Sequence, residues 1–436
     1  MIKDDLKNNF SPALYVHVPF CSSKCYYCDF FSIPVKKISD SYVECLLKEA
    51  FFRARLFNVS SWSSVYIGGG TPGLLSPDQI SRLLRGLKKI CPLEKDSEVT
   101  LEMNPQSLSP EKLYSALESG VNRLSLGVQS LDDRALKAVG RLCNSKTALK
   151  ALEDVKKIWK GELNLDVMAG LPYSDDRSFM ESLEKIAFLS PDHISLYSLT
   201  VEEGTPLALK IKKGLEWNED DCDRQWILGR DFLEKNGISQ YEVSNFARPG
   251  HEGKHNISYW KQNDYLGIGS GGCGTVYFSG IKGIEGAVRW TGEKNIEDWT
   301  SFWSSFSFSQ KKLSQGLERL ISSKNEEDAE NAFSFLGLLP GVQTLEWLDS
   351  KTLEFEYLMT GLRTLDGISS ADYKKRYSSL YPWFGSLEKR LGYENGPWAL
   401  QRKEGLTNEE KRIKSSSYAL NAEGLLFLNS LLSSYI

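Results

Sequence analysis

The chain is expected to fold as an α/β protein on a partial, TIM-like (β/α)6 barrel, with a smaller, mostly helical C-terminal domain. Two observations predict the barrel. Six short apolar or β-branched runs alternate with amphipathic stretches of helical period between residues 13 and about 200, and the motifs with chemical content fall just after those runs. Such alternation implies a parallel sheet with crossover helices, either a barrel or an open doubly wound sheet. Motifs gathered at the C-terminal ends of strands favour the barrel, whose active sites are built there. A third observation is length: 436 residues exceed the roughly 250–300 at which single cores stop growing, so more than one domain is expected.

The strand candidates are Leu14–Val18, Val65–Gly68, Glu98–Met103, Arg123–Val128, Leu163–Met168 and His193–Leu199. A helix over Ser41–Leu56 follows the first. Ser76-Pro77-Asp78 opens the second helix with a capping residue and a proline at its first position, a placement that costs proline no hydrogen bond. Ser109-Pro110-Glu111 repeats the signal, and Gly120 supplies the C-terminal stop. Cys21-Ser-Ser-Lys-Cys25-Tyr-Tyr-Cys28 comes after the first run and Gly68-Gly69-Gly70-Thr71-Pro72 after the second. Glu102-Met-Asn104-Pro105, Gly127-Val-Gln129-Ser130 and Asp166-Val-Met-Ala-Gly170 end the next three. The glycine triplet precedes Thr-Pro rather than Lys-Ser/Thr, so it is not a phosphate-binding P-loop.

The cysteine loop carries most of the chemical information. Its thiolates select iron–sulfur clusters, zinc or copper(I) over harder metals. A zinc ribbon needs a second Cys or Cys/His pair, but Cys45, Cys91, Cys143, Cys222 and Cys273 stand singly and read as small buried hydrophobes. The cluster reading is therefore favoured. A [4Fe–4S] cluster normally takes four cysteines, and three leave one iron open for chemistry.

Composition is that of an ordinary globular chain: 41% hydrophobic, 25% charged, net charge −4. Nucleic acid is not expected as a partner, since there is no basic footprint to recruit it. No run approaches the ~18 apolar residues of a membrane span, and the N-terminus lacks a signal core; only peripheral membrane association stays open. Sparse cysteines kept for a metal suit a reducing compartment, so a cytoplasmic location is expected.

On these motifs the chain resembles the radical S-adenosylmethionine (SAM) superfamily, which shares the C-x3-C-x2-C loop and the Gly-Gly-Gly-Thr-Pro turn. Within it the chain is similar to the branch containing oxygen-independent coproporphyrinogen III dehydrogenase (HemN) and the HemW-type heme chaperones. The shared wording includes Tyr15-Val-His17-Val-Pro-Phe-Cys21, Arg123-Leu-Ser-Leu-Gly-Val-Gln-Ser130, Gly140-Arg141 and His255-Asn-Ile-Ser-Tyr-Trp260. The resemblance implies Cys21, Cys25 and Cys28 as ligands of a [4Fe–4S] cluster. It implies Tyr15, Gly70, Thr71, Glu102, Gln129, Arg141, Asp166 and Thr200 as the SAM site; among the four histidines His255 is the best candidate for a heme ligand, the alternative being a hydrogen-bonded structural residue. Arg141 suits a carboxylate, while Glu102 and Asp166 can accept hydrogen bonds from ribose or an amino group.

Cys28 is followed by Asp29-Phe30 instead of the dehydrogenase's further cysteine, and His255-Asn-x-x-Tyr259-Trp260 is the HemW-type signature. The resemblance thus implies a chaperone that binds cluster, SAM and heme and delivers heme to an acceptor protein, without coproporphyrinogen III dehydrogenase activity. The alternative is that dehydrogenase, in porphyrin biosynthesis. One departure stands out: Cys273 occupies the place of the histidine in the branch's Ala-His pair. The expected organisation is a core barrel over 1–240, a branch-specific segment over 241–292, an insertion over 293–355 and a C-terminal helical domain over 356–436.

Overall fold

The computed structural model describes residues 10–280, 283–377, 400–404 and 416–420, together with residues 424, 425 and 428. Its first strand, β1 (Ala13–Val18), is followed by helix α1 (Asp40–Leu56) and strand β2 (Trp62–Gly69). Then come α2 (Pro77–Ile90), β3 (Leu93–Met103), α3 (Pro110–Glu118) and β4 (Arg123–Gln129). The series ends with α4 (Ser145–Ile158), β5 (Glu162–Ala169), α5 (Asp176–Ala187) and β6 (His193–Ser198). These six strands lie side by side in chain order, all parallel. A doubly wound sheet would reverse direction at a switch point; this one winds a single way, as a barrel does.

Local chemistry sets these boundaries. Ser76 Oγ accepts the Gln79 N–H at 3.2 Å while Gln79 Oε1 accepts that of Ser76 at 3.0 Å, closing a capping box at the start of α2. Gly120 sits at φ +87°, the left-handed turn that ends α3. Alternation along β1 buries Leu14, Val16 and Val18 in the core with α1 residues Val43, Leu46 and Ala50. It leaves Tyr15 and His17 on the opposite, concave face.

The sheet does not close, because other strands flank both edges. Beyond α6 (Glu219–Lys235), strands β7 (Ser239–Gln240) and β8 (Asn245–Ala247) extend the β6 edge antiparallel. The short helix α7 (Lys254–Trp260) leads to β9 (Tyr265–Ile268), which pairs parallel with β1. Strands β10 (Cys273–Gly280), β11 (Gly283–Gly292) and β12 (Val342–Asp349) continue that edge antiparallel, completing a 12-stranded sheet.

Residues 293–355 are not a surface appendage. Helix α8 (Ile296–Ser305) inserts the fully buried Trp299 and Trp303 against α1, with ring centroids 4.8 Å from Tyr42 and 5.8 Å from Phe52. The aromatic-rich stretch Trp299-Thr-Ser-Phe-Trp-Ser-Ser-Phe306 thus contributes to local core, and β12 is part of the main sheet. Further on, α9 (Ser350–Gly361) and a helix over Ser370–Tyr377 build a second apolar core with Leu353, Tyr357, Tyr373 and Tyr377. A three-stranded sheet (Ile368–Ser369, Leu400–Glu404, Ser416–Leu420) joins them. The Leu425-Leu-Phe-Leu stretch of the expected C-terminal helical domain lies largely outside the described residues.

Candidate functional site: the cysteine loop and the barrel mouth

The cysteine loop is held at both ends and in its middle. Phe20–Cys21 pairs with Ile33–Pro34 as a parallel ribbon. Between them, the Tyr26 N–H donates to the Val139 carbonyl and the Leu207 N–H to that of Tyr26, both at 2.9 Å. The Tyr26 ring packs over Gly140, where a Cβ would come within 2.9 Å of it, and Lys210 Nζ lies 4.6 Å from the ring centroid. All three thiols are half-buried and free. Burial raises the Cys28 thiol above its ordinary value, with Cys25 and Cys21 adding to the effect; a bound cation would reverse that, since metal coordination deprotonates thiols.

Among the described residues no three His, Cys, Asp or Glu side chains converge on one metal ion.

A hydrogen-bonded brace links two of these thiols across the mouth. Thr71 Oγ1 donates to Cys21 Sγ at 3.6 Å and accepts from Asn104 Nδ2 at 3.0 Å. Asn104 Oδ1 accepts from Arg141 Nη2 at 3.1 Å, and Arg141 Nη1 reaches Cys25 Sγ at 3.6 Å. Arg141 also donates to the Gly127 carbonyl. Its Nε and the Gln129 Oε1 are buried without partners. A guanidinium donor and an amide acceptor left open beside the cysteines are the groups that an amino acid's carboxylate and ammonium would satisfy. The residues therefore fit both cluster and SAM.

The glycine turn is shaped for close approach. At Gly69 (φ +113°) a Cβ would fall 2.6 Å from the His17 ring, and at Gly70 one would fall 2.7 Å from the Phe20 backbone. The Gly69 N–H donates to Glu102 Oε2 at 3.1 Å, and the Tyr66 hydroxyl to Oε1 at 2.6 Å. Burial pushes the Glu102 carboxyl up to about 7 despite the Tyr66 hydrogen bond. Burial also raises Asp166, whose Oδ1 accepts from Asn164 Nδ2 at 2.7 Å.

Of the expected SAM residues, Gly70, Thr71 and Arg141 gather round the cysteine loop, while Tyr15, Glu102 and Asp166 line the concave face below. Gln129 ends β4 at φ +67°, and Thr200 is exposed just past β6. Asn104, Tyr66 and His17 were not expected as site residues. Asn104 had a signal, the strand-ending Glu102-Met-Asn104-Pro105 stretch; the partners of the other two depend on the fold.

His255, the expected candidate for heme, has both ring nitrogens hydrogen-bonded within the barrel. It is 1% exposed, its Nδ1 bonds Ser64 Oγ and its Nε2 bonds the Tyr259 hydroxyl, both at 2.8 Å. Burial lowers its pKa to about 3. A neutral imidazole with both nitrogens engaged can take an iron only by giving up one partner. The Lys254 and His255 N–H groups, at the start of α7, donate to Glu98. The signature thus anchors α7 in the barrel.

These features define a radical SAM barrel. The Radical SAM superfamily model matches residues 15–186. The fold is that of coproporphyrinogen III oxidase (HemN) from Escherichia coli, described as a radical SAM enzyme, with a TM-score of 0.71 at 20% identity over 98% of this chain and 91% of that one. Heme chaperone HemW of Buchnera aphidicola subsp. Schizaphis graminum is 36% identical over 289 residues, covering 66% of this chain and 75% of that protein. The mouse protein named radical S-adenosyl methionine domain-containing protein 1, mitochondrial, is 39% identical over 274 residues, 62% of each chain. The chain therefore spans less than two thirds of that relative. It belongs to the radical SAM superfamily and, within it, to the HemW-type branch. Among the described residues no helix is long and apolar enough to cross a membrane.

Proposed function

We propose that this protein is a heme chaperone that carries a [4Fe–4S] cluster on Cys21, Cys25 and Cys28, binds SAM at the barrel mouth, and passes heme to an acceptor protein. The observation that carries the site is the brace from Cys21 through Thr71, Asn104 and Arg141 to Cys25. It orients two thiolates from outside the ligand shell, as partners of metal ligands do. When bound, the cluster would supply an electron and an open iron to SAM. Arg141 would hold the SAM carboxylate, Gln129 and the Gly70 turn its amino group, and Glu102 and Asp166 the polar groups of the nucleoside, with Tyr15 and Thr200 bordering them.

Similarity to proteins named heme chaperone HemW supports the heme role. Transfer requires only that heme bind the acceptor more tightly than the donor state. Residues 1–240 are taken as the cluster and SAM module, and 241–292 as the segment that makes the branch specific. A cytoplasmic location belongs to the proposal because reduced thiols persist there.

The test is anaerobic reconstitution of the full chain, followed by SAM titration, heme transfer to an apo-acceptor, and incubation with SAM, reductant and coproporphyrinogen III. Cluster formation, SAM binding and heme transfer without porphyrinogen turnover are expected. Product accumulating over many turnovers would establish the dehydrogenase instead.

A further inference from the structure

An aromatic ladder runs through the barrel from β1 to the thiol of Cys273. Ring centroids lie 6.2 Å apart for Tyr15 and Tyr66, 5.0 Å for Tyr66 and His255, 4.9 Å for His255 and Tyr259, and 4.7 Å for Tyr259 and Tyr265. The Tyr265 hydroxyl then lies 3.7 Å from Cys273 Sγ. Core packing alone accounts for such spacings. It does not account for where the hydroxyls point.

Three successive tyrosines each face a base: Tyr15 faces His17 Nδ1 at 2.8 Å, Tyr66 faces Glu102 Oε1 at 2.6 Å, and Tyr259 faces His255 Nε2 at 2.8 Å. The other nitrogen of His17 lies 3.3 Å from the Phe31 carbonyl, which can only accept, so Nδ1 carries the lone pair. Ser64 can take the corresponding proton of His255. Burial raises all three phenols, so each keeps its proton at rest. A phenol gives up an electron readily only if its proton has somewhere to go, and here each has a local destination.

We propose that the ladder is a hole-transfer route, carrying a one-electron oxidising equivalent from the barrel mouth to Cys273, which faces a cavity of about 310 Å³ lined also by Tyr15, Tyr259, Tyr265 and Tyr277. The oxidant is a carbon-centred radical formed at the mouth, and in that respect alone the inference rests on the proposed function. Tyr15, Tyr66 and Tyr259 each pass one electron toward the mouth while the proton moves onto the facing base, and recover both when the next residue is oxidised; the last electron comes from Cys273 through the Tyr265 ring, which keeps its own proton throughout. In sum, the Cys273 S–H bond breaks, its electron reaches the radical and its proton leaves to water in the cavity. The radical, gaining that electron and a proton from water, closes a C–H bond.

Light can replace the cluster as the source of oxidant, which separates this test from the question of SAM binding. A bipyridyl side chain bearing a ruthenium photosensitiser replaces Phe30, 73% exposed in the cysteine loop, beside Phe31, whose ring stacks on His17. The full chain is flashed with an electron-accepting quencher and a spin trap, and the adduct is located by peptide mass spectrometry. Adduct on Cys273 is expected, with its loss in Tyr66→Phe and in Tyr259→Phe, which keep the ring and remove the hydroxyl; circular dichroism verifies their fold. Absence of adduct at Cys273 in the parent, or equal adduct in both variants, overturns the route.

Discussion

Replacing Asn104 by alanine should weaken SAM binding while leaving the cysteine loop able to load iron. Asn104 makes two hydrogen bonds in the brace, accepting from Arg141 at 3.1 Å and donating to Thr71 at 3.0 Å. A hydrogen bond to a charged group contributes about 1.5–3 kcal/mol and a neutral one about 0.5–1.5. Arg141 keeps its contact to the Gly127 carbonyl, and water can enter at the mouth, so the net loss should be about 1–2 kcal/mol, or roughly 5–30-fold in Kd. The assay is an anaerobic SAM titration of reconstituted parent and variant, with iron and sulfide counted on the same samples. Unchanged SAM affinity at equal iron content would refute the brace as a positioning device. Loss of iron in step with SAM would show that Asn104 supports the loop itself.

Glu102 makes stability depend on pH. Its carboxyl is raised by burial from 4.5 to about 7, so its contribution is full below about 4.5 and is lost as pH rises through about 7, by at most about 3 kcal/mol. Denaturant midpoints for Glu102→Gln should lack that part of the decline, whereas parallel profiles would contradict it. Trp299→Ala should cost about 3–5 kcal/mol, as for a fully buried aromatic, read from the unfolding midpoint; a change under about 1 kcal/mol would mean that α8 is peripheral. His255→Gln should leave the absorption spectrum of bound ferric heme unchanged in form, because the imidazole is engaged by Ser64 and Tyr259. A changed spectrum with the fold intact would restore it as the ligand.

The barrel was legible because its signals are local. Strands buried on the helical face appear as apolar or β-branched runs, and Ser76, Ser109 and Gly120 mark helix ends by chemistry confined to a few residues. The cysteine loop was legible for the same reason. What could not be read depends on contacts between distant parts of the chain. Nothing near Tyr265 says that β9 pairs with β1, and nothing in the aromatic run at 299–306 names α1 as its partner. His255 shows the difference most clearly: its sequence context suggests a ligand, but its partners are Ser64, far back in the chain on β2, and Tyr259, one helical turn ahead. Arg141 and Gln129 were expected from resemblance; that Asn104 and Thr71 connect Arg141 to the cysteines is a property of the folded mouth.

The most direct test of the account counts iron and sulfide after anaerobic reconstitution and follows the electron paramagnetic resonance of the reduced protein as SAM is added. The account predicts the composition of a [4Fe–4S] cluster, a signal that changes on SAM binding, and loss of both when Cys21, Cys25 and Cys28 are replaced together by alanine. Zinc in place of iron, or a cluster that persists in the triple variant, would contradict it.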